Sequence, residues 1–474
     1  MHDKRARIAI DLGAESCRVS LLRWYGVESQ ISEVHRISNG PVAHGSSLCW
    51  PLKSILAGVE EGLRKAAEEA PEGIASIAVD GWAVDYVRLD PDGRPLHDPF
   101  CYRDERTIAA KEKADAILSP AEAFRRTGAQ PLRINTVYQL LADTEEEKQA
   151  PWLCLPEYVL HWLGAPRVAE YTNATHTGLV DLATRDWARD LFWALDIPLE
   201  AAPRIVAPGT SLGELKGPLT ELSAFRNTAL IAPACHDTAS AIAGIAADMD
   251  SSAYICSGTW SLVGTLVANA IENPEALAAR YTNQGAATGG YCFHTNVNGM
   301  WLLKQCIEAW ASAGRLVNLP DLIQQAVACA TTGILNVDAD SLLLSGDMPA
   351  RINRELSLSG QRTIVDASGN EALFARVIFE GLAARYSSAL TDLEQMLQRK
   401  LARIHIIGGA SRNQLLADLT AEQCGIPVDC GHPESSTIGN FAVQLAAGEG
   451  SSGQITRDSV RNWASQLCKA TRPT

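Results

Sequence analysis

The sequence predicts an α/β protein built from two duplicated halves that flank a central cleft. Two observations carry this reading. Residues 7–24 and 253–266 share one plan: a strand, a turn rich in small or polar residues, and a returning strand. The chain of 474 residues is also long for one core and suits two domains of roughly 200 residues or more. A ligand of such a protein is expected in the cleft between the halves.

The elements follow in order. RIAIDL at 7–12 is a strand, GAESC at 13–17 a turn, and RVSLLRW at 18–24 the return. Residues 52–70 repeat apolar side chains at helical spacing, with Leu52, Ile55, Leu56, Val59, Leu63, Ala66 and Ala67 on one face. IASIAVD at 74–80 is a buried strand, and VDYVRLDPDGRPL is a hairpin around Pro91-Asp92-Gly93. After the second hairpin a long helix spans 371–397, carrying Leu373, Val377, Ile378, Leu382, Tyr386, Leu390 and Leu393. RIHII then enters GGASRN, and a helix begins near Asn413. No Pro/Gly/Ser-rich linker separates the halves. The boundary falls near 244–252 on the new hairpin alone, giving domains 1–245 and 246–474.

Composition narrows the function classes. With 46% hydrophobic and 20% charged residues the chain is a globular enzyme rather than a disordered one. A net charge of −14 argues against a nucleic-acid surface, yet backbone N–H groups and a metal ion can still hold phosphate. Asp11 interrupts the apolar part of the N-terminus, so no signal-peptide core is expected, and no apolar run approaches a membrane span. Twelve cysteines without CxxC pairs read as reduced thiols in the cytoplasm, with no zinc spacing.

Several motifs are excluded. There is no Gly-Lys dipeptide, hence no Walker A loop, and no HExxH. Gly209-Thr210-Ser211-Leu212-Gly213 matches a nucleophile elbow, but Pro208, Gly217 and Pro218 oppose the required strand and helix. It reads as a loop entering an edge strand. Asn173-Ala174-Thr175 is a formal glycosylation sequon with no role in a cytoplasmic chain.

What remains is a phosphoryl-transfer pattern. IAPACHDTASA, around His236, ends an apolar run in a histidine, the carboxylate of Asp237 and hydroxyls. ICSGTWSLVGT at 255–265 follows, with Ser257, Gly258, Thr259 and Ser261. A buried carboxylate can deprotonate an alcohol while the turn holds a phosphate. Three turns could share one nucleotide: Asp11 with Gly13–Arg18, Ser257-Gly258-Thr259, and Gly408-Gly409-Ala410. Taken singly each is an ordinary turn; together on a duplicated scaffold they point to ATP.

These residues carry a resemblance. DLGAESCR (11–18), VDGWAVDYV (79–87), YRDERT (102–107), TVYQL (136–140), EYTNAT (170–175), HDTASA (236–241), SGTWSL (257–262), NGMWLL (298–303) and IIGGASRNQLL (406–416) run in the order found in the FGGY carbohydrate kinase family. The resemblance implies two duplicated ribonuclease-H-like (actin-like ATPase) domains around a cleft. HDTASA, YTNAT and SGTWSL resemble the members of the family that act on L-rhamnulose. Position by position it implies Asp237 as catalytic base, with Ala83, His236, Thr238 and Asn296 at the sugar. Ala14, Glu15, Ser16, Cys17, Arg18, Thr259, Lys304 and Gly409 would hold ATP, and Asp11 with Asp237 would serve Mg²⁺. The implied reaction moves the γ-phosphate of ATP to the C1 hydroxyl of L-rhamnulose. The resemblance further implies a monomer.

Three departures stand out. Cys17 replaces a loop glycine, Ala83 adds a methyl beside the sugar, and Lys304 replaces a nucleotide-contacting glutamine, where a lysine can meet a phosphate or point to solvent. The run Arg103-Asp104-Glu105-Arg106 reads as a solvated loop, Trp301 and Tyr138 as core, and His294 and His405 as satisfied buried histidines. Competing readings are a kinase for L-fuculose or a pentulose, a non-catalytic ATP/sugar sensor, and a conformational ATPase module. Retention of Asp11 and Asp237 opposes the sensor. Lack of room for a peptide-binding domain opposes the ATPase module.

Overall fold

The computed structural model describes residues 3–26, 28–330, 333–449 and 454–470. Its first half is built on a six-stranded sheet in the order Ser211–Glu214, Ala229–Ile231, Ile74–Gly81, Ala6–Leu12, Ser16–Tyr25, Glu28–Ser38. Ala6–Leu12 runs parallel to Ile74–Gly81 and antiparallel to Ser16–Tyr25. The second half repeats this with Ser252–Ser257 at the equivalent place, parallel to Arg403–Ile407 and antiparallel to Trp260–Val267. Its order is Tyr281–Gly285, Tyr291–Asn298, Trp260–Val267, Ser252–Ser257, Arg403–Ile407, Val428–Cys430. The duplicated actin-like α/β architecture follows from two copies of the same hairpin-plus-parallel-strand unit.

Strand Ala6–Leu12 is buried along its whole length rather than alternating, because both faces of its sheet are covered. On one side lies the predicted amphipathic helix, Leu52–Glu69, with Leu52, Ile55, Val59, Leu63 and Ala66 inward. The other side is closed by Ser435–Ala447, a helix that comes from the far end of the chain and packs on Ala6–Leu12, Ile74–Gly81 and helix Asp237–Ala243. The last helix, Arg457–Ala470, lies against Ser435–Ala447 and Glu28–Ser38. Two glycines permit the crossing. A Cβ on Gly439 would stand 1.7 Å from the carbonyl oxygen of Ser240, and one on Gly244 would stand 2.4 Å from that of Ser435. Backbone meets backbone there, so neither neighbour can yield. The second half packs around the 27-residue helix Glu371–Leu397, which buries Phe374, Phe379 and Tyr386.

Some local expectations change. The Pro91–Gly93 turn closes, with Asp90 N–H to Arg94 O at 2.8 Å, but the ladder partner of Tyr86–Arg88 is Trp152–Cys154. The charged run is only half solvated: Arg103 and Glu105 are exposed, Asp104 and Arg106 are not. Asp104 is buried and accepts from Leu48 N–H at 2.6 Å. Arg106 pairs with Asp143 at 2.7 Å, in a buried network with Arg88 and Tyr86. Sequence pattern cannot distinguish solvated charges from charges whose partners lie 37 residues away. Tyr138 is core as expected, whereas Trp301 is half-buried with the Arg103 guanidinium over its ring. The twelve cysteines are free thiols. Among the described residues no helix is long and apolar enough to cross a membrane.

Candidate active site

Three strand ends of the first sheet meet at the cleft. Gly81 N–H donates to Cys235 O at 2.9 Å and Trp82 N–H to Leu12 O at 3.1 Å, so Asp11, Asp80 and His236-Asp237 are brought together. Asp237 opens helix Asp237–Ala243, where a carboxylate is favoured by the unpaired N–H groups of the first turn. Thr238 Oγ1 donates to Asp237 Oδ1 at 3.2 Å, and His236 Nε2 stands 3.3 Å from the same oxygen. Burial, then the charge of Asp11, pushes the Asp237 carboxyl up to about 7. Asp80, wholly buried, is pushed above the usual carboxylate range by burial and then by Asp11. Its Oδ1 accepts from Asn440 Nδ2 at 2.5 Å while its Oδ2 has no partner.

Two buried carboxylates hold the segment before Asp237. Glu170 accepts from Cys235 N–H at 2.8 Å and from Thr172 N–H at 2.9 Å. Glu157 accepts from Glu170 N–H at 3.0 Å and Asn173 Nδ2 at 2.8 Å. The sequon Asn173 is thus a core hydrogen-bond donor. Burial raises these carboxyls, Glu157 to about 7 and Glu170 to about 8.

The first loop is tight. A Cβ on Gly13 would lie 2.4 Å from Ser16 O, and Asn39 braces the turn through Gly13 O at 2.9 Å. Cys17 needs no special backbone: it sits in register between Leu12 and Ile37, its side chain buried with Sγ donating to Gly13 O at 3.8 Å. Burial and Asp11 push its thiol up to about 12, so it stays a neutral packing residue. Arg18 pairs with Asp11 and with Glu434, and Ser436 Oγ donates to Asp11 at 2.7 Å.

The second and third loops touch. Gly408, at φ 81°, would place a Cβ 2.9 Å from Ser257 O, and Gly409 then opens a short 3₁₀ turn before helix Gln414–Cys424. Helix Trp301–Ser312 begins against the second loop through Trp301 N–H to Thr259 O at 3.2 Å. That puts Lys304 in reach of the first loop. Its Nζ lies 2.7 Å from Glu15 Oε1, which also accepts from Thr259 Oγ1 at 3.4 Å. Lys304 therefore points across the cleft and not simply to solvent.

The side chains of two expected members take no part in these hydrogen bonds. Asn296 stands exposed on strand Tyr291–Asn298, and its side chain makes no hydrogen bond with the described residues. Ala83 is buried beside Val84, whose φ of 73° is strained for a β-branched residue. Val84 O accepts from Thr136 Oγ1 at 2.7 Å and Gln139 Nε2 at 3.2 Å, which hold the turn. The sequence reading missed Asp80, Asn440, Glu434, Ser436, His176 and Gln284. Asp80 was legible as the carboxylate ending a buried strand; the others belong to no local motif.

Histidines cluster nearby. His294 is fully buried; its Nδ1 meets Tyr254 Oη at 2.8 Å, and its Nε2 is unpartnered. His405 is also buried with Nε2 unpartnered, so neither is the fully satisfied histidine expected from sequence. Burial holds His294 down at about 3. The unfolded chain therefore takes up this proton first, and the stability contributed is complete above pH 6.5 and lost as pH falls toward 3. Wild type is expected to lose up to about 1.4 kcal/mol per pH unit relative to His294→Asn in that window, read from urea midpoints at pH 7.5, 5.5 and 4.5.

Two family descriptions cover the chain: the N-terminal domain of the FGGY family of carbohydrate kinases matches residues 6–244, and the C-terminal domain matches residues 253–448. A rhamnulokinase of Bacteroides thetaiotaomicron is 33% identical over 453 residues, covering 94% of this chain and 92% of its own. Among solved structures, a xylulose kinase from Lactobacillus acidophilus superposes with a TM-score of 0.76 at 18% identity, covering 98% of this chain and 97% of that one. A Plasmodium falciparum glycerol kinase with ADP gives 0.73 at 14% identity, covering 97% and 92%. At these identities the two structures speak for the fold.

Proposed function

The chain belongs to the FGGY family of carbohydrate kinases and is an ATP-dependent sugar kinase, and from that premise we propose that its acceptor is the C1 hydroxyl of L-rhamnulose. The substrate reading rests on the rhamnulokinase relative, which is similar over nearly the whole length of both chains. The mechanistic reading is carried by one observation. Asp237 sits at the cleft between His236 and Thr238 with its carboxyl held up to about 7 by burial and Asp11. A base tuned near the working pH is ionised enough to accept a proton and basic enough to keep it.

In this mechanism Ala83, His236, Thr238 and Asn296 hold the ketose, and Asp237 takes the proton from its C1 hydroxyl. The freed oxygen attacks the γ-phosphorus in line, and the bond to the β-phosphate oxygen breaks to give ADP. Ala14, Glu15, Ser16, Cys17 and Arg18 of the first loop, Thr259 of the second and Gly409 of the third line the phosphates, largely through backbone N–H groups. Lys304 leaves Glu15 for a phosphate oxygen, a stronger partner for a half-exposed ammonium. Residues 1–245 supply most of the sugar side together with the first phosphate loop, and 246–474 supply the rest of the nucleotide side, with Asn296 on the ketose.

The donor set suits Mg²⁺. Asp11, Asp80 and Asp237 are near enough to feel one another's charge, and Asp80 Oδ2 is an orphaned buried oxygen. Among the described residues no three such side chains converge as a ready cage. Asp11 and Asp237 would therefore hold the ion mainly through water and phosphate oxygens, as Mg²⁺ prefers. When bound, the ion neutralises charge on the transferring phosphoryl group.

The test is an ADP-release assay with Mg-ATP against L-rhamnulose, L-fuculose, L-xylulose, D-xylulose and glycerol. The highest kcat/KM is expected for L-rhamnulose. Another ketose leading would displace the substrate and keep the chemistry, whereas ATP binding without turnover on any sugar would favour a sensor.

A further inference from the structure

A partly buried hydrogen-bond chain runs from the second sheet into the site. Gln284 Nε2 lies 3.0 Å from His176 Nδ1, and His176 Nε2 lies 3.0 Å from His236 Nδ1. The two imidazoles pack with centroids 3.8 Å apart, and His236 Nε2 ends the chain 3.3 Å from Asp237 Oδ1. Each member comes from a different element. Gln284 lies on edge strand Tyr281–Gly285, His176 in the 3₁₀ turn Thr175–Thr177, and His236 caps helix Asp237–Ala243. Gly285 N–H to Thr175 Oγ1 at 2.9 Å pins the first two together.

From this chain we infer that His176 and Gln284 are positioning residues that fix His236 as its Nε2–H tautomer, so that a neutral imidazole presents a donor beside Asp237.

The polarity follows from counting protons. A neutral imidazole carries one N–H, so every link must point the same way. The 3.0 Å contact between His176 Nε2 and His236 Nδ1 requires one of those two nitrogens to be bare, and the relay takes both rings as neutral, which the ¹⁵N signals report directly. In the forward sense, Gln284 donates to His176, His176 donates to His236, and His236 turns its N–H toward Asp237. The reverse sense would set a ring-nitrogen lone pair against a carboxylate oxygen at 3.3 Å. It would also strand both N–H donors of Gln284, whereas the forward sense uses one of them and leaves the other N–H and Oε1 unpartnered. A fixed donor next to a fixed base recognises two neighbouring oxygens of a sugar: His236 donates to one, and Asp237 accepts from the hydroxyl to be phosphorylated. A free imidazole would spend part of its time in the other tautomer, offering a lone pair where the sugar needs a donor.

This inference rests on Asp237 as the base, and the experiment separates the two. Full-length protein labelled with ¹⁵N-histidine, its His236 signals assigned with His236→Gln, is expected to show a protonated Nε2 and a bare Nδ1. In parallel, His176→Leu should raise the ketose KM by about 10–100-fold with ATP KM unchanged. His176→Gln should recover most of that loss, because its amide N–H can donate to His236 while its carbonyl accepts from Gln284. A protonated Nδ1 on His236 in the wild-type protein, or a ketose KM unmoved in His176→Leu, overturns the relay. Retained turnover in Asp237→Asn would instead sink the base assignment and leave the tautomer result standing.

Discussion

Asp237→Asn is expected to lower kcat by about 10²–10⁴-fold while the KM values for ATP and ketose move little. The amide matches the carboxylate in shape and can still accept from Thr238, so the helix start and its neighbours survive. What disappears is a group able to take the proton at the moment the sugar oxygen attacks. The substitution also removes a charge from a crowded place, since Asp11 and Asp80 lie close by. The variant should therefore be as stable as wild type or slightly more so. Melting the variant alongside the assay separates the outcomes. A stable protein with kcat within tenfold of wild type, about 1.4 kcal/mol of barrier, would refute the assignment.

The second large effect concerns stability. Asp85→Ala is expected to cost about 3–5 kcal/mol in urea unfolding and to raise the ketose KM. Asp85 is wholly buried. Its Oδ2 accepts from Trp50 Nε1 at 2.6 Å and Trp82 Nε1 at 2.9 Å, and its Oδ1 accepts from Gln139 Nε2 at 2.9 Å. Truncation leaves two indole N–H groups with no acceptor and removes one of the three acceptors of the Gln139 amide, which keeps Val84 O and Ile134 O. Burial has pushed the carboxyl up to about 6, so at neutral pH it remains an acceptor. The kinetic consequence comes through Val84, whose left-handed backbone is held by Gln139 and Thr136. Releasing Gln139 loosens the turn that carries Ala83 to the cleft. A variant that unfolds at the wild-type urea midpoint would show that this network is dispensable.

Both effects bear on how much could be read before the fold was known. Strand, helix and hairpin positions were legible because each is written in a local period. RIAIDL alternates too little to be anything but doubly buried, and residues 371–397 keep helical spacing for their whole length. Cys17 shows the opposite limit. It stands where the resemblance expects a loop glycine, and only the fold shows why a side chain fits there, packed between Leu12 and Ile37. The charged run at 103–106 failed for a related reason, because Asp143 cannot be assigned to Arg106 from spacing.

By itself, then, the sequence determined the duplicated α/β plan, the three turns and the carboxylate Asp237 at the end of an apolar run, since each depends on residues adjacent in the chain. Only the tertiary structure decided what surrounds them. Ser435–Ala447 folds back onto the first sheet and brings Asn440 to Asp80 across 360 residues, and Ser436 to Asp11 across 425. Glu15 meets Lys304, and Gln284 reaches His236 through His176. The physical reason is the same in each case. Burial makes a polar group find a partner, but the partner is selected by which elements pack together, and packing is a property of the whole chain.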